Sequence, residues 1–345
     1  MKLELTEYFL LFVASVTLVG LLTPLVRKIA TALDVVDRPS ESHKTHKEPI
    51  PYLGGVGIIF GVAIITYGAI AINGGDSAFA LANTLLIPAI LLGLIGLVDD
   101  VKKLAPLPRF IAQNAVALAI AGILIATNTL GSPSGNVFLD LVITILWIVG
   151  ITNSINFFDN VDGGASGTIA ISSTFLFFLA FQGGQFFIAA LAAVLGGATI
   201  GFLLWNRPPA RIYMGDAGAL FLGLLIATLL IRFDPNPIYL SASFAIPVLI
   251  LAIPILDTTV AVISRLRRGI SPFQGGQDHL SHRLMRAGLS KRQAVLSLWL
   301  MSLFFCLIAI AISNAPYSLE RSLTIIGATL WIILFFLFLR TADAK

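Results

Sequence analysis

The sequence predicts an all-α integral membrane protein that crosses the bilayer about eleven times and forms a single domain over residues 1–345. Its composition excludes an ordinary soluble protein, because 57% of the residues are hydrophobic and 12% are charged, whereas soluble domains carry about 25% charged residues. The mean hydropathy is +0.94. The apolar residues come in long runs, and the charged residues gather between those runs. This pattern is typical of a polytopic helical membrane protein.

A helix needs about 20 mainly apolar residues to span the hydrocarbon core of a bilayer. Eleven runs meet this requirement, and the short turn Gln182-Gly183-Gly184-Gln185 separates the sixth from the seventh. The first run is too long for the apolar part of a signal peptide, so we expect it to remain as a span. The predicted spans are 7–26, 53–73, 79–98, 109–128, 138–157, 166–182, 186–205, 217–233, 240–264, 295–314 and 321–340.

The distribution of Lys and Arg predicts an external N-terminus and a cytoplasmic C-terminus. With that orientation only three of the 22 Lys and Arg residues lie outside, namely Lys2, Arg232 and Arg321. Basic residues favour the cytoplasmic connections of membrane proteins. We therefore expect a multi-pass protein of the inner (plasma) membrane, with its functional loops in the cytoplasm. The lipid bilayer is a predicted partner, and nucleic acid is not.

Five aspartates fall at or just beyond the ends of predicted spans, all on the predicted cytoplasmic side: Asp99, Asp100, Asp159, Asp162 and Asp216. Carboxylates are costly near lipid, so such a one-sided cluster indicates an active site at the membrane surface. Asp99 and Asp100 are adjacent at a helix end, where they repel each other and oppose the helix dipole. This arrangement favours a bound cation, although a solvated helix end balanced by the following lysines is the alternative.

An asparagine stripe precedes two of these aspartates. Asn153, Asn156 and Asn160 recur at three- and four-residue steps on a predicted helix, and Asp159 lies slightly to one side. Amide and carboxylate oxygens suit a hard cation. A polar helix cap followed by the Gly163-Gly164 turn is the alternative, but it leaves Asn153 and Asn156 unexplained.

Other polar positions allow two interpretations each. Asp216 follows Gly215 and could bind a metal or cap the next helix. His279, His282 and Arg283 could form a donor face for phosphate oxygens, and the dominance of oxygen ligands in the other loops disfavours zinc. Gly54-Gly55 permits close approach of either a ligand or a helix. For Asp257, the sequence supports a functional role and a structural role equally.

Four motifs together resemble those of the polyprenyl-phosphate N-acetylhexosamine-1-phosphate transferases, which form glycosyltransferase family 4. They occur in the family's order and on the expected face. The motifs are Asp99-Asp100 with Lys103, Asn153-x-x-Asn156-x-x-Asp159-x-x-Asp162-Gly163, Met214-Gly215-Asp216-x-Gly218, and His279-x-x-His282-Arg283.

The resemblance implies transfer of a sugar 1-phosphate from a UDP-sugar to undecaprenyl phosphate, with UMP as the second product. It also implies Mg²⁺ as cofactor, with Mn²⁺ as an alternative, and it allows a homodimer. Asn156 and Asp216 would be the metal ligands, and Asp99 or Asp100 would bind or deprotonate the acceptor phosphate. Asp159 would be catalytic without a more specific role.

The resemblance further assigns the binding of the donor. Tyr213 would stack on the uracil, and Asp162 would recognise its polar edge. Four donor-rich groups would hold the diphosphate and the sugar: His279, His282, Arg283 and Lys47. His279 and His282 are also counted among the catalytic residues. Lys103 would bind substrate without a more specific role.

The last motif indicates the branch of the family. This chain carries Asp278-His279-Leu280-Ser281-His282-Arg283-Leu284 in place of the triple-histidine signature of the enzymes that transfer phospho-MurNAc-pentapeptide. The form present resembles the GlcNAc-1-phosphate branch, which starts cell-envelope polysaccharides such as O-antigen or teichoic acid. Phospho-MurNAc-pentapeptide transfer is the alternative within the family. A secondary transporter is the rival class, but its polar sites would lie near the bilayer midplane.

Overall fold

The computed structural model describes residues 3–38, 49–103, 106–131, 133–236, 239–272 and 276–341. These residues form thirteen helices and one two-stranded antiparallel sheet, joined by turns and loops. The helices are α1 (Leu5–Ala32), α2 (Gly54–Asn73), α3 (Asp76–Lys102), α4 (Pro106–Ala126), α5 (Val137–Phe158), α6 (Gly164–Gln182), α7 (Phe186–Asn206), α8 (Gly215–Arg232), α9 (Leu240–Ile250), α10 (Ala252–Arg267), α11 (Leu280–Arg286), α12 (Lys291–Ser313) and α13 (Tyr317–Arg340). The strands are β1 (Val36–Asp37) and β2 (Ile50–Pro51).

The all-α membrane architecture predicted from the sequence is confirmed. Among the described residues, ten helices are long and apolar enough to cross a bilayer, and α9 and α10 together form one further candidate with a 78° bend. Ten of the eleven predicted spans each fall on one of these helices. The ninth predicted span, 240–264, differs because the structure forms two helices there, α9 and α10.

Proline explains why the ninth segment breaks. Pro254 has no N–H, so it cannot donate to the carbonyl of Ile250 four residues earlier, and the helical ladder stops there. The Ser172 hydroxyl donates a hydrogen bond to the Ile250 carbonyl at 2.8 Å, and the Cys306 thiol donates to the same carbonyl with an Sγ–O distance of 3.7 Å. Trp331 Nε1 donates to the Ala252 carbonyl just after the break at 3.0 Å. Neighbouring helices therefore satisfy the polar backbone that the bend exposes, as a membrane interior requires.

Helix α8 lies in the interior of the bundle. Its middle, from Ala217 to Leu230, is buried throughout, which agrees with a sequence that is apolar on all sides. Helices α3 and α5 pack along it, and α2 crosses its first turn. The N-terminal end of α8 meets the C-terminal ends of α3 and α5. We call this end of the bundle, which carries Asp99, Asp100, Asp159, Asp162 and Asp216, the acidic end.

Short backbone contacts fix the loop before α8. The N–H of Tyr213 donates to the Pro51 carbonyl at 2.9 Å, which ties this loop to β2. The N–H groups of Gly54 and Gly55 donate to the carbonyls of Tyr213 and Met214 at 3.0 and 2.9 Å. Residues 39–48, including Lys47, lie outside the described part of the chain.

Glycine at the start of α2 permits the crossing with α8. A Cβ on Gly55 would lie 2.1 Å from the backbone N of Gly218 and 2.4 Å from its Cα. Both atoms belong to a helix backbone and cannot move away cheaply. Of the two interpretations open for Gly55, the structure supports close helix packing.

Gly55→Ala is expected to lower the free energy of unfolding by roughly 2 kcal/mol, as overpacking of a tight contact does. The transition temperature in detergent measures this loss. Gly68→Ala in the same helix is the matched control, since no heavy atom lies within 4 Å of its new Cβ, and it is expected to be neutral or slightly stabilising. Equal transition temperatures for the two variants would contradict the packing role of Gly55.

Candidate active site

Asp216 lies at the centre of the acidic end. Its Oδ1 accepts a hydrogen bond from Asn156 Nδ2 on α5 at 2.7 Å. Its Oδ2 accepts from Arg109 Nη1 on α4, and the same nitrogen pairs with Asp99 Oδ2 on α3 at 2.7 Å. Residues that are distant in sequence thus meet at one carboxylate, as the resemblance predicts for Asn156 and Asp216.

Asp100 has a different environment from Asp99. Its two carboxylate oxygens accept hydrogen bonds from the N–H groups of Asp216 and Ala217 at 2.8 and 3.1 Å. It therefore caps the N-terminus of α8, where a negative charge is favourable. Gly215 has φ +69°, and a Cβ there would lie 2.4 Å from Asp100 Oδ2. Glycine is needed both for this backbone conformation and for the approach of the carboxylate.

The asparagine stripe joins α5 to three neighbours. Asn153 Nδ2 donates to Gln113 Oε1 on α4 at 2.6 Å, and Asn156 donates to Asp216 as described above. Asn160 Oδ1 accepts from the Ser281 hydroxyl at 2.5 Å. Helix α5 ends at Phe158, so Asn160 lies beyond the helix on which the sequence analysis placed it. Its amide instead bonds to the carbonyl of Phe157 at 2.8 Å.

Asp159 is half-buried and follows the end of α5. Burial raises its pKa well above the usual range, and the nearby carboxylates of Asp216, Asp100 and Asp162 raise it further. Such a concentration of negative charge favours either a proton or a bound cation at this position.

Asp162 is buried and its carboxylate is shared by two protein groups. Its Oδ2 accepts from the Ala210 N–H at 2.9 Å, and its Oδ1 pairs with Lys291 Nζ at 2.8 Å. Asp162 therefore anchors the loop before α8 to the start of α12. The contact between Asp162 and the uracil edge stays a prediction.

Tyr213 is half-buried beside Tyr52, with 6.1 Å between the ring centres. Burial raises the pKa of its hydroxyl, and the neighbouring Asp162 and Asp37 add to the shift. The hydroxyl therefore stays protonated across the physiological range. Tyr213 precedes Asp216 by three residues, which places an aromatic ring near the carboxylate cluster.

A buried network of hydrogen bonds holds the last motif, His279-x-x-His282-Arg283. Asp257 is fully buried and accepts from the Leu280 N–H and from His279 Nδ1, both at 2.7 Å. Arg265 Nη2 lies 3.3 Å from His279 Nε2. Since Arg265 can only donate, Nε2 accepts and Nδ1 carries the hydrogen that is donated to Asp257. Both ring nitrogens thus have protein partners, and the direct contact of His279 with the diphosphate stays a prediction.

Arg283, which is predicted to bind substrate, lies among protein partners in the structure. Its side chain is 1% exposed. Its guanidinium donates to the carbonyls of Asp278 at 2.9 Å and Thr341 at 2.7 Å, and to the Ser264 hydroxyl at 2.5 Å. The sequence analysis expected a free donor, but two of these partners, Ser264 and Thr341, are distant in sequence, and no sequence pattern marks a backbone carbonyl as a partner. Arg283 joins α10, α11 and the end of α13.

His282 is the member of this motif with an open hydrogen-bonding capacity. No described residue bonds to its buried Nδ1, and its ring centre lies 5.9 Å from that of His279. Burial lowers the pKa of His282 to about 4, and His279 also contributes to this shift. The ring is therefore neutral at physiological pH and can act as a hydrogen-bond donor or acceptor.

His282 is expected to make stability depend on pH. The folded protein resists protonation of this ring down to about pH 4, whereas the unfolded chain takes up the proton near pH 6.5. Its contribution is complete above pH 6.5 and is lost as the pH falls towards 4, by up to about 3 kcal/mol. Unfolding curves at pH 7 and pH 4.5 are expected to differ less for His282→Gln than for the unsubstituted protein. The same pH dependence in both proteins would contradict the burial of a neutral ring.

Of the two lysines predicted to bind substrate, the structure describes one. Lys103 is exposed directly after the end of α3 and has φ +49°. Lys47 lies outside the described residues. Arg109, in contrast, was absent from the predicted site although it bonds to both Asp99 and Asp216. Its sequence signal is a lone arginine at the start of an apolar span, ten residues after Asp99.

An apolar groove of about 530 Å³ lies next to the acidic end. Helices α4, α5, α9 and α10 form its walls, and Asn153 and Phe157 belong to both the groove and the end of α5. Its apolar lining includes Phe110, Leu146, Trp147, Val149, Ile151, Phe157, Val248, Ile255 and Val262.

The residues present suit a hard cation. Within the described ranges, no three His, Cys, Asp or Glu side chains form a metal cage by themselves. Mg²⁺ does not require one, since it commonly keeps waters and takes few protein oxygens together with substrate phosphates. The carboxylate of Asp216 and the amide of Asn156 supply such oxygens beside the other four aspartates of the acidic end. Calcium-like coordination, with six to eight protein oxygens, fits this sparse set less well.

Comparison with known proteins identifies the family. The family described as glycosyl transferase family 4 matches residues 82–234. The probable undecaprenyl-phosphate N-acetylglucosaminyl 1-phosphate transferase of Bacillus subtilis (strain 168) is 33% identical over 333 residues, which cover 95% of this chain and 87% of the relative. The chain belongs to this family.

Further members of glycosyl transferase family 4 show the same relationship. The decaprenyl-phosphate N-acetylglucosaminephosphotransferase of Mycobacterium tuberculosis (strain CDC 1551 / Oshkosh) is 30% identical, over 80% of this chain and 75% of that protein. The phospho-N-acetylmuramoyl-pentapeptide-transferase of Bacillus pumilus is 28% identical, over 87% and 95% respectively. The predicted polyprenyl-phosphate N-acetylhexosamine-1-phosphate transferase family is thereby confirmed.

Proposed function

We propose that this chain transfers N-acetylglucosamine 1-phosphate from UDP-GlcNAc to undecaprenyl phosphate, as the first membrane step of a cell-envelope polysaccharide. An oxygen of the acceptor phosphate bonds to the sugar-bearing phosphorus of the donor. The bond from that phosphorus to the UMP oxygen breaks, and UMP leaves. The products are undecaprenyl-diphosphate-GlcNAc and UMP.

The convergence of Asp99, Arg109, Asn156 and Asp216 beside an apolar groove is the observation that carries this proposal. One substrate is a water-soluble anion and the other is anchored in lipid, so they can meet only at a membrane surface. The acidic end offers polar groups there, and the groove offers an apolar surface for the first isoprene units of the acceptor. The charge distribution supports a cytoplasmic position for this end.

Asn156 and Asp216 would hold Mg²⁺, which would reduce the repulsion between the two substrate phosphates. Asp100 positions Asp216 by capping α8. Asp99 orients Arg109, whose guanidinium can face the arriving acceptor phosphate. That phosphate is already mostly dianionic near neutral pH, because its second pKa is about 6. A strong base is therefore not required, and orientation and charge neutralisation carry the step.

The choice of sugar follows from the relatives. The two relatives at 30% identity or more reported above are named for N-acetylglucosamine transfer, and the pentapeptide transferase is at 28%. The sparser histidine motif supports the same branch. A transporter loses its support, because the chain belongs to a transferase family and its acidic residues gather at one end of the bundle.

An exchange assay tests the reaction and its donor. Purified protein is incubated with radiolabelled UMP, undecaprenyl phosphate, Mg²⁺ and, in separate samples, UDP-GlcNAc, UDP-GalNAc or UDP-MurNAc-pentapeptide. Label is expected to enter UDP-GlcNAc in preference to the other donors, and chelation of Mg²⁺ should stop the exchange. Exchange into UDP-MurNAc-pentapeptide would select the alternative branch, and its absence with every UDP-sugar would refute the transferase proposal.

A further inference from the structure

A second set of basic and aromatic side chains lies beside the site. Arg207, Arg211 and Arg292 line a cavity of about 510 Å³, together with Trp205 and Trp299. These residues come from the end of α7, the loop before α8 and the start of α12. None of the predicted site residues is among those that line this cavity, although Asp162 anchors the same loop from the other side through Ala210 and Lys291.

The three guanidinium groups are exposed. Arg292 Nε donates to the Pro208 carbonyl at 3.2 Å, and the Arg211 guanidinium lies 5.8 Å from the centre of the Trp205 ring. In the part of the chain that the structure describes, no carboxylate forms an ion pair with Arg207, Arg211 or Arg292. The cavity therefore presents three positive charges with hydrogen-bond donors still available.

An apolar groove of about 380 Å³ continues from this cavity between α1 and α7. Val16, Thr17, Gly20 and Leu21 of α1 line it. Three of its lining residues, Leu204, Trp205 and Arg211, also line the basic cavity. Trp205 Nε1 donates to the Gly20 carbonyl at 2.9 Å and holds the two helices together at the junction.

We propose that the two cavities together bind an anionic glycerophospholipid. Its phosphate lies among Arg207, Arg211 and Arg292, whose planar guanidinium groups suit phosphate oxygens. One acyl chain lies in the groove between α1 and α7. Tryptophan at the junction is typical of the level of lipid headgroups, and basic clusters there attract anionic lipid. A soluble phosphate would leave the adjoining groove uncovered, so we assign a lipid. This site goes beyond the transfer reaction and does not depend on it.

Native mass spectrometry of the purified protein tests the headgroup. The protein is mixed with equal amounts of phosphatidylglycerol and phosphatidylethanolamine that have identical acyl chains. Phosphatidylglycerol is expected to be retained preferentially. The variant Arg207→Gln/Arg211→Gln/Arg292→Gln is expected to lose at least about tenfold of this retention. Arg27→Gln/Lys28→Gln/Arg267→Gln removes three exposed basic side chains elsewhere and is expected to keep the preference.

A second variant tests the acyl chain. Thr17 is exposed and lines the groove, so Thr17→Trp fills the groove without changing the core. It is expected to weaken retention of phosphatidylglycerol several-fold, and glycerol phosphate added in excess should not displace the lipid. Three results would overturn the proposal: equal retention of the two lipids, equal retention by both triple variants, or displacement by glycerol phosphate or inorganic phosphate, which would indicate a soluble anion.

Discussion

Asp216→Asn is expected to lower the rate of transfer by about 10³-fold or more while the protein still folds. The Asp216 carboxylate is the point at which α3, α4, α5 and α8 meet through side chains, since Arg109 and Asn156 both bond to it. Asparagine has nearly the same shape, but its single amide oxygen can accept only one of the two hydrogen bonds that Arg109 and Asn156 donate to Asp216. It also lacks the charge that a divalent cation needs.

Stability is expected to survive this substitution for a physical reason. Asp100 caps α8 through backbone N–H groups of residues 216 and 217, and these N–H groups are unchanged in the variant. Removal of one carboxylate also reduces repulsion within the cluster. The measurement is the transfer rate at saturating donor and acceptor, together with the transition temperature in detergent with and without Mg²⁺. A rise caused by Mg²⁺ in the unsubstituted protein should be lost in Asp216→Asn.

Asp76→Asn is the matched control for Asp216→Asn. Asp76 is an exposed carboxylate in the first turn of α3, at the opposite end of the helix that carries Asp99 and Asp100. It is expected to leave both the rate and the effect of Mg²⁺ unchanged. Activity of Asp216→Asn within a few-fold of the unsubstituted protein would place the metal elsewhere.

Much of the fold could be predicted from the sequence, because span length and charge distribution are local properties. The positions of all eleven apolar segments correspond to helices. The break at Leu251 was not predicted, although Pro254 gives a local signal for it. What decides whether a proline bends a span is the presence of partners for the freed carbonyl. Here those partners are Ser172 and Cys306, which are far away in sequence.

Part of the acidic site could be predicted from the sequence for the same reason. Carboxylates at the ends of spans on one side lie at the same membrane surface, so topology allows a convergence around Asp216. Topology does not show which protein group bonds to each carboxylate. Arg109 was absent from the predicted site, and Asp257 was left between two roles until its contacts with His279 and Leu280 were visible.

The donor-rich last motif shows where sequence reasoning is weakest. A lone histidine or arginine in a loop has no visible partner in the sequence, so it resembles a free ligand-binding group. In the structure, backbone carbonyls surround Arg283 and two side chains engage His279. Backbone carbonyls are present at every residue and leave no trace in composition or spacing.

Arg283→Ala is therefore expected to reduce stability and not substrate affinity. Each carbonyl that loses its buried partner costs about 1–3 kcal/mol, and the guanidinium serves the Asp278 and Thr341 carbonyls and the Ser264 hydroxyl. A loss of about 3 kcal/mol or more is expected, which should lower the transition temperature in detergent by roughly 5 °C or more. Arg283→Lys is expected to recover only part of this loss, because an ammonium group cannot reproduce the planar fork.

Arg286→Ala is the control, since this exposed arginine lies one helical turn away and donates to the Gln277 carbonyl at 2.8 Å. Its effect on the transition temperature is expected to be small, because exposed polar contacts contribute little to stability. The KM for the donor, measured below the transition temperature, separates the two roles of Arg283. A normal transition temperature combined with a raised KM for Arg283→Ala would restore the substrate contact that the motif predicts. A lowered transition temperature with an unchanged KM would establish that this arginine joins α10, α11 and the end of α13, and leaves His282 as the member of the motif that is open to substrate.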